Sequence, residues 1–227
     1  MPVIKDYDSK KKAKDPYKRL DESLPRPYLG MVIIGVAGSG KSNFALNMVE
    51  WYSPAIERYI FISPVIDKDA KLLDMIAMLI DKKKTVKTFK NYSKTTISEI
   101  ERMLDEYPME TMIWGDDITG YDVVSPRNET FTTLMTQRRH FKANWVFCSH
   151  TWKAIPRKVR MNCNHFIIFN CNESEYKEIY EEIGVDIKPY MQYVYNKPKY
   201  SFLHVDKSSR SPRFSLNMEN ELEITMN

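Results

Sequence analysis

Apolar residues along this chain fall into two patterns: short runs, and stretches in which they recur every three or four positions. Residues 28–35, 58–63, 111–117, 144–149 and 165–170 are short apolar runs rich in Val, Ile, Phe and Trp. Such runs suit strands buried on both faces, and 85–89 is a more polar candidate of the same length class. Between them, 41–51, 70–80, 94–107, 129–141 and 173–183 have helical spacing, as in Ile97, Ile100 and Leu104. Strand and helix alternate, the order that a parallel sheet covered by helices requires. Residues 191–195, 200–205 and 212–216 read as closing strands. The pattern predicts an α/β fold with a mostly parallel central sheet between helical layers. It divides the chain into a basic flexible arm (1–24), one domain (25–217) and a frayed acidic tail (218–227).

Composition adds bounds. With 227 residues and 43% apolar content, the chain is long enough to bury one sizeable core. No run approaches the roughly 18 apolar residues of a spanning helix, and the polar start does not read as a signal peptide. The chain is therefore expected to stay in the compartment where it is made. Cys148, Cys163 and Cys171 are too few for a disulfide framework. They lie near His140, His150 and His165, but no C-x₂-C pair is present, so they read as buried hydrophobes rather than zinc ligands. The net charge of +4 is modest, yet its distribution is uneven. The arm interleaves Lys5, Lys10, Lys11, Lys12, Lys14, Lys18 and Arg19 with Asp6, Asp8 and Asp15. Residues 130–172 contain no acid while carrying Arg138, Arg139, Lys142, Lys153, Arg157, Lys158 and Arg160. A stretch with charges of one sign suits a polyanion, or phosphate met at a subunit boundary.

The chemistry centres on 35–42, GVAGSGKS, which follows the first apolar run and opens a helix. This is the G-x-x-x-x-G-K-S spacing of a phosphate loop. Gly35, Val36, Ala37, Gly38, Ser39 and Gly40 offer main-chain N–H groups to a nucleotide's phosphates, Lys41 adds a point charge, and Ser42 is placed for Mg²⁺. The helix from Lys41 directs the positive end of its dipole at the same place. The run 111–117, TMIWGDD, supplies the complement: a strand ending in Asp116, assigned to the metal, and Asp117, assigned to the attacking water. His150 follows the 144–149 strand and is expected near the γ-phosphate.

Taken together, GVAGSGKS, MIWGDD and RRHFKANWVFCSHTWKAIPRKVRMN resemble the poxvirus-type genome-packaging ATPases of large DNA viruses and virophages, within the FtsK–HerA class of P-loop ATPases. The similarity spans roughly 28–172, and its third segment is the discriminating one. The resemblance implies a P-loop NTPase three-layer sandwich of the additional-strand (ASCE) type, with the strand before His150 between the P-loop strand and the Asp116 strand. It implies that His150 senses the γ-phosphate, where members usually carry glutamine. Arg139 or Arg160 is the arginine finger offered to a neighbouring subunit's ATP, with Arg139 preferred. It further implies ATP and Mg²⁺ as cofactors and a homo-oligomeric ring, pentameric or hexameric, that drives double-stranded DNA into a preformed capsid. Capsid portal or vertex proteins are the implied partners, and the host cytoplasm (viral factory) or the virion the implied location. A P-loop nucleoside or nucleotide kinase is the alternative, followed by a DNA-binding adaptor that keeps ATP as a structural ligand.

Overall fold

A computed structural model describes residues 16–117 and 129–222. The basic run 5–14 and the chain beyond 222 lie outside the described residues. Strands β1 (Gly30–Ile34), β2 (Arg58–Ile62), β3 (Thr85–Phe89), β4 (Thr111–Gly115), β5 (Ala143–Ser149), β6 (His165–Ile168), β7 (Leu203–Asp206), β8 (Arg213–Leu216) and β9 (Asn220–Glu221) form one sheet. Its order is β3-β2-β4-β5-β1-β6-β7-β8-β9. All pairings from β3 to β6 are parallel, while β7, β8 and β9 are added antiparallel. The helices are α1 (Lys41–Trp51), α2 (Ala70–Asp81), α3 (Lys94–Glu106), α4 (Glu129–Thr136), α5 (Arg157–Met161), α6 (Glu173–Ile183) and α7 (Lys188–Tyr195).

The apolar runs are continuous because both faces of the sheet are covered. Alternation along each strand divides the core: Met31, Ile33, Phe61, Trp114 and Val146 join one cluster, and Val32, Ile34, Ile60, Ile113 and Trp145 the other. The first cluster packs under α1 and α2 through Phe44, Met48, Leu72 and Leu79. The second packs under the remaining helices through Ile97, Phe131, Val159, Ile179 and Met191. Helix starts follow local chemistry: the Asp69 carboxylate caps α2 and the Ser93 hydroxyl caps α3 by accepting main-chain N–H bonds. This is the predicted three-layer sandwich, with β5 between β1 and β4.

Two features depart from the sequence reading. Residues 191–195 are not a strand but the second half of α7. Pro189 sits in that helix's first turn, where proline fits, and Tyr190, Met191 and Val194 share its buried side. Five residues are too few to show a helical period by themselves. Within the stretch expected to be an arm, Pro16–Arg19 forms a 3-10 helix, and Tyr17 is only 3% exposed. The Tyr17 hydroxyl donates to Glu110 (2.6 Å) and accepts from the Asn144 amide (3.0 Å), pinning this segment to the sheet's amino-terminal edge.

At that edge, β6 and β7 bury a pair of imidazoles. His165 Nδ1 lies 3.2 Å from His204 Nε2, and Asp206, paired with Arg213 at 2.6 Å, stands beside them. Burial, partly opposed by Asp206, pushes His165 down to about 4; burial and the neighbouring His165 push His204 down to about 3. Both values lie below that of an unfolded histidine, so acid favours the unfolded chain. The stability they hold is full above about pH 6.5 and falls as pH drops toward 4. We expect a loss of about 2 kcal/mol per histidine at pH 5 relative to neutral pH. Urea midpoints measured across this range check it, and the double variant His165→Gln, His204→Asn should flatten the dependence.

Candidate functional site

The loop between β1 and α1 is built around glycines that no other residue replaces. A Cβ on Gly35 would come within 2.6 Å of Ser39 Oγ and 2.7 Å of Phe169 Cβ. Gly40, the residue before α1, has φ +110°, in the region that side-chain-bearing residues avoid. The Val36 N–H is used by Asn170 O and the Ser39 N–H by Val36 O, which fix the loop's shape. The first N–H groups of α1 have no intrahelical acceptor, so Lys41, Ser42 and Asn43 present theirs at the loop's mouth. Lys41 is only 7% exposed, and its ammonium donates to Gly35 O (2.6 Å) and Val36 O (3.0 Å).

The facing wall comes from the carboxyl ends of β4 and β5. Asp116 follows β4, its N–H donating to Ile62 O, and Asp117 follows with φ +44°, a turn that aims the pair out of the strand. His150 follows β5, and its Nδ1 is 3.4 Å from the Lys41 ammonium. Lys41, Ser42, Asp116, Asp117 and His150 thus line one cleft of about 520 Å³ with loop residues 37–40. The order β4-β5-β1 is what brings them together, because the three parallel strands end at one edge. β5 occupies the place between β1 and β4.

Charges in the cleft are mutually dependent. Burial lowers the pKa of Lys41, and Asp116 and Asp117 act in the opposite direction. Burial raises Asp116, the like charge of Asp117 adds to that, and His150 and Lys41 oppose it. The donor set fits a magnesium triphosphate: main-chain N–H groups and an ammonium for phosphate oxygens, and a hydroxyl with a carboxylate for a hard cation. Sequence reasoning missed Lys71, which lines the cleft while donating to Asn43 Oδ1 (2.9 Å), and Tyr200, which reaches it from the segment before β7. Neither carries a motif signal.

The arginines lie elsewhere. Arg139 is exposed in the turn before β5, at the amino-terminal edge of the sheet. The seven residues of β5 separate it from its own cleft by about 20 Å at the usual rise per residue. Arg160 is 7% exposed and committed inside the molecule, which corrects its candidacy as a finger. Its guanidinium makes a two-pronged pair with Glu182 and donates to the carbonyls of Trp152 and Ile155. Such a buried pair is costly to open. Arg138 donates to Tyr28 O (2.5 Å) and Met135 O (3.1 Å). The acid-free stretch is also less one-sided in space than in sequence, because α6 supplies Glu178 to Lys153 and Glu182 to Arg160. Arg139, Arg157 and Lys158 remain exposed.

A family model described as Poxvirus A32 protein matches residues 17–195. No curated protein matches the chain in sequence. Among solved structures, the genome packaging NTPase B204 from Sulfolobus turreted icosahedral virus 2 in complex with AMPPCP is similar, with a TM-score of 0.62 and 15% identity. The match covers 87% of this chain and 100% of that one. B204, the DNA-packaging ATPase from Sulfolobus Turreted Icosahedral Virus, matches with a TM-score of 0.61 and 14% identity over 84% of this chain and 98% of that one. A Thermomonospora curvata EccC structure (ATPases 2 and 3) matches at TM-score 0.53 and 14% identity, over 82% of this chain and 36% of that one. At these identities the likeness is one of fold. Among the described residues, no helix is long and apolar enough to cross a membrane.

Proposed function

This chain belongs to the Poxvirus A32 protein family and carries the P-loop ATPase fold, and from that premise we propose that it is the ATPase of a viral DNA-packaging motor. The observation that carries the reading is the cleft where β1, β4 and β5 end, in which Lys41, Asp116, Asp117 and His150 face one another.

ATP binds with its phosphates on the loop's mouth, where the Lys41, Ser42 and Asn43 N–H groups and the Lys41 ammonium meet them; the Val36 and Ser39 N–H groups, expected to join them, instead hold the loop's shape. The Ser42 hydroxyl and Asp116 would hold Mg²⁺, which, when bound, neutralises charge on the β- and γ-phosphate oxygens. Asp117 orients a water in line with the γ-phosphorus. The water oxygen forms the new P–O bond as the bond to the β-phosphate oxygen breaks, releasing ADP and phosphate. His150 contacts the γ-phosphate and carries the difference between bound and cleaved states along β5. Arg139, too far from its own cleft, serves a neighbour's: its guanidinium stabilises the charge that grows on the transferring group. The site is therefore shared between two copies of the chain, which assemble as a ring of five or six. B204 is described as a DNA-packaging ATPase, and that description suggests the same substrate here. The motor acts at the capsid vertex, in the host cytoplasm or on the virion.

Arg157, Lys158 and the basic run 5–14 supply contacts to DNA phosphates, which carry no sequence information. Duplex DNA should stimulate ATP hydrolysis. A protein making about four such contacts should lose roughly 100-fold in DNA affinity between 50 and 200 mM salt. Titration of labelled duplexes of unrelated sequence, alongside ATPase rates, tests this. A flat salt response, or turnover indifferent to DNA, would remove DNA from the account. Transfer of phosphate to a nucleoside instead of water would replace the motor with a kinase.

A further inference from the structure

A second cleft, of about 470 Å³, opens beside the phosphate loop. It shares Ala37, Gly38, Ser39 and Tyr200 with the first, so a ligand gripped by the loop can run from one into the other past the Tyr200 ring. Its outer wall is the segment between α7 and β7, which carries Lys197 and Lys199.

Tyr200 is conspicuous for its backbone. The Ser201 N–H donates to Pro198 O at 3.0 Å, closing a turn in which Tyr200 is the third residue, with φ +79°. A turn with that torsion at its third position takes glycine, because a side chain there is strained. Yet the side chain is large, 56% exposed, and laid against the catalytic loop: a Cβ on Gly40 would stand 3.2 Å from Tyr200 Cδ1. The Lys199 ammonium stands 5.0 Å from the centre of the ring. The neighbouring tyrosines differ in that neither is placed against the phosphate loop. The Tyr195 hydroxyl bonds Tyr176 and the Cys171 carbonyl, and the Tyr193 ring is covered by the Lys197 ammonium at 4.1 Å. A strained tyrosine over the mouth of the phosphate loop thus holds an exposed ring at the junction of the two clefts.

We propose that Tyr200 is the stacking platform for the nucleobase, and that the second cleft takes the base and ribose of the bound nucleoside triphosphate. The inference rests on the phosphate-loop reading and adds to it the other half of the ligand. Stacking uses a π-face that every base has, so the subsite accepts purine and pyrimidine triphosphates alike.

The test compares two ligands on the full chain by calorimetry, with magnesium present: AMPPCP, which has a base, and tripolyphosphate, which has none. Tyr200→Gly removes the ring and gives the turn the residue it suits. AMPPCP binding should weaken roughly 10- to 100-fold. Tripolyphosphate binding should be unchanged, and the melting temperature unchanged or raised. Tyr200→Phe should bind both ligands as wild type does. If Tyr200→Gly fails to fold, Tyr200→Asn, which tolerates the same torsion, takes its place. Equal weakening of both ligands would make the ring a structural cover for the loop and overturn the proposal, as would no weakening of AMPPCP. Failure of wild-type protein to bind tripolyphosphate or AMPPCP would overturn the phosphate-loop reading itself.

Discussion

Lys41→Ala abolishes turnover and leaves the fold standing. Removing one preorganised donor to a developing charge ordinarily costs on the order of 10² to 10³ in rate. Here the lost group is a full positive charge that is 7% exposed and stands among Asp116, Asp117 and His150. The Lys41 side chain lines a cleft open to solvent, so its truncation gives water a path to the carbonyls of Gly35 and Val36. Circular dichroism and the urea midpoint should therefore match wild type within about 1 kcal/mol. Nucleotide affinity falls because the ammonium meets the phosphates in the ground state, and kcat falls because it holds them more strongly as charge grows in the transition state. ATPase activity surviving at more than a tenth of wild type would mean that the loop does not hold the triphosphate.

Arg139→Ala behaves differently. The side chain is exposed, at the far edge of the sheet, and in contact with no part of its own cleft. Its loss should leave folding, and nucleotide binding by an isolated subunit, unchanged. The rate in the assembled ring should fall by about 10³ to 10⁵, the range seen when an arginine finger is removed from phosphoryl transfer. The effect appears in kcat and spares KM, as expected of a group that acts only on transition-state charge. Arg160→Ala, by contrast, uncovers Glu182 and two carbonyls in the core, so its main effect is on stability. Measuring both variants by denaturation and by kinetics separates the two arginines: one loses rate, the other loses fold.

Much of this architecture was legible in the chain because the strands are buried on both faces and read as unbroken apolar runs. The loop and the acids were legible because their residue types are dictated by backbone torsion and by ligand chemistry: glycine at Gly35 and Gly40, a carboxylate pair where β4 ends. The rest depends on contacts between residues far apart in sequence. Tyr17 reads as part of a charged arm until it meets Glu110 and Asn144. Residues 191–195 read as a closing strand, whereas Pro189 and the inward side of Tyr190, Met191 and Val194 belong to a helix. The acid-free stretch reads as a polyanion surface only while α6 is ignored, since its glutamates begin at the next residue. Tyr200 has no local signature at all, because what marks it is a torsion and the loop it rests on.

A site shared between two copies of the chain is tested most directly by mixing two inactive variants. Lys41→Ala carries a finger but no usable loop, and Arg139→Ala carries a loop but no finger. Co-assembled, with mixing verified by two affinity tags, they should regain ATPase activity well above either alone, because some boundaries then pair an intact loop with an intact arginine. Mixed assemblies that remain as inactive as their parents would contradict the shared site.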